Sequence, residues 1–119
     1  MKIPGPDHPI SIAPSAKRVR VTFNGSLVAD TTRALTLREG SLAPVHYIPR
    51  SDVDMALLAR SRHASHCPYK GDAAYYSVRV DGRISENAVW TYEAPYPAVA
   101  EIEDHLAFYP SRVDRIEEM

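Results

Sequence analysis

The chain has 119 residues, a formal net charge of -1 and a mean hydropathy of -0.30, a size that suits one domain burying roughly two-thirds of its unfolded surface. No apolar run nears the ~18–20 residues of a membrane span, and the scattered lysines and arginines form no basic face of the kind nucleic acid requires. One cysteine excludes an internal disulfide, and without a secretory signal pattern a reducing cytoplasm is the expected home.

Ten prolines and seven tyrosines predict short elements and many turns, because proline breaks helices and central strands. Residues 1–17 hold four of those prolines and no sustained period. They are read as an extended arm lying on the domain or a partner, with the domain itself over 18–119. Arg18 to Phe23 alternates polar and apolar residues, the period of a half-buried strand. Asn24-Gly25 follows, the strongest short hairpin signal, and Ser26 to Thr31 returns as its partner. Arg33 to Arg38 alternates again, closed by Glu39-Gly40. Val45 to Ile48 makes a short strand ended by Pro49.

One central α-helix is predicted over about Asp52 to Arg62. Ser51 would cap it with Asp54 three residues on, and Val53, Ala56, Leu57 and Arg60 fall at helical spacing. Beyond it, Ala73 to Val80 is a strong strand. Asp81-Gly82 is a second hairpin turn, and Ile84 to Glu93 returns. Ala98 to Asp104 suits one or two helical turns, and Leu106 to Tyr109 is a last strand stopped by Pro110. Asp114 to Met119 reads as a fraying strand end. The expected fold class is therefore mainly β (α+β). About seven short antiparallel strands would form a strongly curled or barrel-like sheet, which removes exposed edges.

The stretch His66-Cys67-Pro68-Tyr69-Lys70-Gly71 concentrates the reactive groups. The bond to Pro68 holds Cys67 extended, and Gly71 permits a positive φ. The loop is thus able to curl until Cys67 and Lys70 face one point, where the positive charge would favour a thiolate. A buried, inert cysteine is the plainer alternative. His63, His66 and Cys67 offer ligand types that zinc accepts. Adjacent residues of an extended chain point to opposite sides, however, so no metal and no cofactor is expected. Lys70 before a glycine loosely resembles an anion-binding turn and is a candidate to pair with Glu39 or Glu93.

Several ordered motifs resemble the domain-of-unknown-function 427 family, widespread in bacteria and fungi. They are Tyr47-Ile48-Pro49-Arg50-Ser51-Asp52-Val53, then Ser65-His66-Cys67-Pro68-Tyr69-Lys70-Gly71-Asp72-Ala73-Ala74-Tyr75-Tyr76, then Ala88-Val89-Trp90-Thr91-Tyr92-Glu93, then Ala107-Phe108-Tyr109. The likeness covers about residues 18 to 114. Ser65 stands where the family usually has threonine, and Ile48 where it has an aromatic. The resemblance implies a compact mainly-β domain with one helix and no established activity. A nucleotidyltransferase label attached to the family is discounted, since no clustered aspartates for a divalent metal are found on a strand.

Two functions from different classes follow, and a third beside them. The favoured one is a small-molecule binding domain whose pocket of Tyr47, Tyr76, Trp90 and Tyr92, with Arg18, Glu39, Arg50 and Lys70, takes an anionic or nucleotide-like metabolite. An aromatic-rich core is the competing account of those tyrosines. The second is an enzyme using Cys67, tuned by Lys70 or His66, with Glu93 as acid or base. The third is an interaction module that forms a homodimer through the arm or an edge strand.

Overall fold

Two Asx-Gly turns organise the chain as their sequences demand. Asn24 and Gly25 both take positive φ (48° and 80°), and so do Asp81 and Gly82 (50° and 81°), the signature of type I′ hairpins. In the computed structural model, which describes residues 1–119, the first turn joins β2 (Val19–Phe23) to β3 (Ser26–Thr31). The second joins β7 (Gly71–Val80) to β8 (Arg83–Tyr92).

The remaining strands are β1 (Ile10–Pro14), β4 (Leu35–Glu39), β5 (Val45–Pro49), β6 (Leu58–Cys67), β9 (His105–Phe108) and β10 (Arg115–Glu118). Seven of the ten form one antiparallel sheet in the order β1-β4-β5-β9-β8-β7-β6, and β10-β2-β3 form a second. The chain is mainly β, and no helix is long and apolar enough to cross a membrane.

Three expectations are corrected here. The sheet is neither closed nor strongly curled: the large sheet is open, with β1 and β6 at its edges. The edge is blunted by side chains instead. Arg60, His63, Ala64, Ser65 and His66 of β6 are exposed, and a charged or polar edge discourages pairing with another chain.

The strands number ten, because the proline-rich arm supplies β1 on β4, the segment after Leu57 supplies β6, and the C-terminal residues pair with β2 as β10. The central α-helix is absent. Arg50–Asp52 and Met55–Leu57 are single 3-10 turns, and the chain is extended from Leu58 onward. The capping groups are spent locally. Asp54 accepts from the Ala56 N–H within its own short turn, while Asp52 accepts from Thr31 and Arg33 and Ser51 accepts from Arg33. The one or two turns expected near Ala98 to Asp104 are present as the 3-10 segment Pro97–Ile102.

Period-2 alternation sorts neighbouring residues into two cores. Ile48, Tyr76, Val89, Leu106 and Phe108 pack with Val19, Val21 and Val28 between the two sheets. Tyr47, Tyr75, Tyr92 and Ala107 pack with Leu37, Val99 and Ile102 in a second cluster. The second cluster positions the candidate site.

Candidate functional site

Cys67-Pro68-Tyr69-Lys70 is a tight turn between β6 and β7. The Lys70 N–H donates to the Cys67 carbonyl at 3.2 Å, and Cys67 pairs with Gly71 across the hairpin. Gly71 has φ 110°, and a Cβ there would meet the Ala94 carbonyl oxygen at 3.4 Å. The Tyr96 N–H donates to the Lys70 carbonyl at 2.9 Å, which ties the turn to the chain after β8. These constraints fold the lysine side chain back over the cysteine.

Lys70 is 8% exposed. Its ammonium donates to Glu39 Oε1 at 2.5 Å and approaches Cys67 Sγ at 3.7 Å. The other Glu39 oxygen meets His8 Nε2 at 2.7 Å. His8 lies flat on Tyr69, with centroids 3.9 Å apart and planes 3° from parallel. The Lys2 N–H donates to the Pro68 carbonyl at 2.7 Å. The N-terminal arm thus closes over the turn and holds the far side of Glu39. Burial alone would raise the Glu39 carboxyl, but the hydrogen bonds from Lys70 and His8 outweigh it and hold the group below the usual carboxylate value.

Above this cluster lies a cavity of about 210 Å³, lined by Leu37, Glu39, Tyr47, Lys70, Trp90 and Tyr92 among others. Tyr75 and Tyr109 complete its aromatic wall. The Trp90 indole N–H donates to the Tyr47 hydroxyl at 3.2 Å, and the two rings meet edge to face. Tyr109 packs on Trp90 with centroids 4.4 Å apart. The Tyr75 hydroxyl bonds Ser65 Oγ at 2.8 Å. Burial raises the phenols of Tyr47 and Tyr92 well above the ordinary value. Tyr109 is pushed up to about 12 by burial and then by its neighbour Tyr75. All three therefore stay protonated at neutral pH and offer hydrogen bonds, not a phenolate base.

Of the residues singled out from the sequence, Glu39, Tyr47, Lys70, Trp90 and Tyr92 meet at this cavity. Cys67 is half-buried and packs against the second core beside Lys70. The rest lie elsewhere. Arg18 is held by both oxygens of Asp30, at 2.7 and 2.6 Å, on the small sheet. Arg50 and Tyr76 pair with each other at 3.2 Å, with Tyr76 in the core between the sheets. Glu93 is clasped by Arg60 through two hydrogen bonds of 3.0 and 2.9 Å.

Sequence reasoning missed His8, Tyr75 and Tyr109. Tyr75 was available from alternation, since it and Tyr76 must face opposite sides. Nothing local marks His8, which reaches the site only because β1 runs along β4.

A family model described as a domain of unknown function (DUF427) matches residues 11–119. A comparison with curated proteins finds no match. The chain belongs to the DUF427 family.

Proposed function

We propose that this member of the DUF427 family is a small-molecule binding domain, and that the ligand sits in the aromatic cavity over Lys70 and Glu39. The observation that carries the reading is the set of unused valences in that pair. An ammonium has three N–H donors, and two are directed at Glu39 and Cys67. A carboxylate accepts about four hydrogen bonds, and Glu39 receives one on each oxygen. The pair therefore has one donor and acceptor sites left, side by side, on the lining of a cavity walled by aromatic rings.

A ligand group that both donates and accepts, such as a primary amide, complements this arrangement. The charge of Lys70 is already matched by Glu39, which narrows the anionic reading. A volume of about 210 Å³ is below the ~300–1,000 Å³ of pockets that bury drug-sized ligands, which disfavours a whole nucleotide.

A thermal-shift screen of small amides, amino acids and carboxylates tests this. The reading expects amides to raise the midpoint of the native protein and to lose that effect in Glu39→Gln. An equal rise in Glu39→Gln, or a rise confined to carboxylates, overturns it.

A second reading, thiol chemistry at Cys67, is favoured by one observation, the 3.7 Å approach of the Lys70 ammonium to Sγ. Alkylation of native protein by iodoacetamide tests it. Rapid labelling that slows in Lys70→Ala supports it. Labelling only on unfolding ends it.

A further inference from the structure

Three side chains on the other face of the large sheet form a cluster that the Lys70 cavity does not use. Thr36 and His46 alternate with Leu37 and Tyr47 along β4 and β5, so they stand on the face turned away from that cavity. The two residues are directly opposite each other in the strand register. Glu118 comes from the second sheet. Two residues before it, Ile116 packs on the core between the sheets, so alternation along β10 turns Glu118 to the same side, toward His46.

The three side chains make one run of hydrogen bonds. His46 Nε2 meets Glu118 Oε1, and His46 Nδ1 meets Thr36 Oγ1 at 3.1 Å. The hydrogen bond from His46 holds the Glu118 carboxyl below its usual value, and the charges of Lys17 and Arg38 add to the effect. An ionised carboxylate only accepts, so the proton of the neutral imidazole sits on Nε2. That leaves Nδ1 bare, and the Thr36 hydroxyl donates to it. A hydroxyl bonded to a base whose tautomer is set by a carboxylate is the arrangement that activates an alcohol as a nucleophile.

A cleft of about 470 Å³ opens over this run, and Thr36, His46, Glu118, Lys17 and Arg38 all line it. Every residue of its lining is half-buried or exposed, so it is open to solvent. Its volume falls within the range of pockets that hold small organic ligands. Ala13 pairs with Thr36 on the side away from His46, and its short side chain leaves room there for a substrate. Arg38 lies two residues beyond Thr36 on the same face. It brings positive charge to the oxygen that becomes negative when an acyl carbonyl is attacked.

We propose that this cleft is a second site, with hydrolytic activity toward small carboxylic esters. Thr36 is the nucleophile, His46 the general base and Glu118 the positioning residue. Thr36 Oγ bonds to the carbonyl carbon as its proton passes to His46 Nδ1. The carbon–oxygen bond to the leaving alcohol then breaks, and that alcohol takes the proton from Nδ1. Water attacks the acyl-Thr36 ester with His46 again as base, which releases the acid and restores the hydroxyl. This inference is independent of the binding reading of the Lys70 cavity.

The test is hydrolysis of para-nitrophenyl acetate by the native protein, with peptide mass mapping of samples quenched in acid during turnover. The proposal expects nitrophenolate release above the buffer rate and an acetyl group on Thr36. Thr36→Val, which keeps the shape of the side chain, should remove both, and Thr36→Ser should retain both. His46→Gln should lower the rate of acetylation about a hundredfold. Glu118→Gln should lower kcat with KM unchanged, because it disturbs the tautomer of His46 and not the cleft. Thermal midpoints establish that each variant is folded before rates are compared. Release that Thr36→Val leaves unchanged overturns the site, as do acetyl groups found only on Cys67 or on lysines. No release above the buffer rate overturns it as well.

Discussion

Lys70 and Glu39 stand thirty-one residues apart in sequence, and their side chains meet at 2.5 Å with little exposure. The β6–β7 turn, strand β4 and the stacked His8 hold the pair in place. Its partners determine what each group can still bind.

The first consequence concerns stability. Removing one member of a buried pair leaves the other charge uncompensated. Lys70→Met should therefore cost about 3 kcal/mol, the lower end for such a loss, because the two side chains keep 10% and 12% of their exposure. Adding Glu39→Gln to Lys70→Met should cost less than the sum of the single changes by about 1 kcal/mol or more. Urea midpoints of the four proteins check this.

The second concerns pH. Glu39 has a depressed carboxyl in the fold, so its stabilisation is complete above the ordinary value of 4.5 and disappears as pH falls through the lower folded value. Urea unfolding between pH 7 and about pH 3 should show a shallower acid loss in Glu39→Gln than in the native chain. A residual slope should remain, because Asp30 and Glu118 are also held low, by hydrogen bonds from Arg18 and His46 respectively.

The third concerns the turn. Gly71 and Gly25 both have positive φ, but only Gly71 has backbone within 4 Å of the point where an alanine methyl would sit. Gly25→Ala should cost about 1 kcal/mol from conformation alone. Gly71→Ala should cost about 2 kcal/mol, since the Ala94 carbonyl adds crowding to the strain. It should also weaken ligand binding by displacing Lys70. Thermal midpoints with and without ligand separate the two effects.

The fourth concerns Glu93. It is held by Arg60 on the surface, where the side chains are 52% and 45% exposed. Such pairs contribute little. Glu93→Gln should change stability by less than about 1 kcal/mol, and should leave both amide binding and the rate of Cys67 alkylation unchanged.

Much of the fold was legible wherever one face of a strand is buried. The hairpins at Asn24-Gly25 and Asp81-Gly82 announce themselves by turn chemistry, and Tyr75 and Tyr76 divide between two cores as alternation requires. The failures share a physical cause. β6 is an edge strand with polar residues on both faces, so no hydrophobic period marks it. The apolar residues just before it belong to 3-10 turns and imitate helical spacing. β10 carries Arg115, Glu117 and Glu118, and its strand character comes from pairing with β2.

The site was legible in part for a similar reason. Lys70, Cys67 and the strand aromatics stand out locally. The identity of the partner of Lys70, Glu39 in place of Glu93, depends on β4 and the β6–β7 turn being brought together, which no local pattern encodes.

The most direct measurement follows the indole N–H resonance of Trp90, the only one in the chain, in a proton–nitrogen correlation spectrum during titration with butanamide. Trp90 donates to Tyr47 on the cavity wall. The binding account predicts a saturable shift of this resonance in the native protein and a much weaker response in Glu39→Gln. No shift, or the same saturation in both proteins, would contradict it.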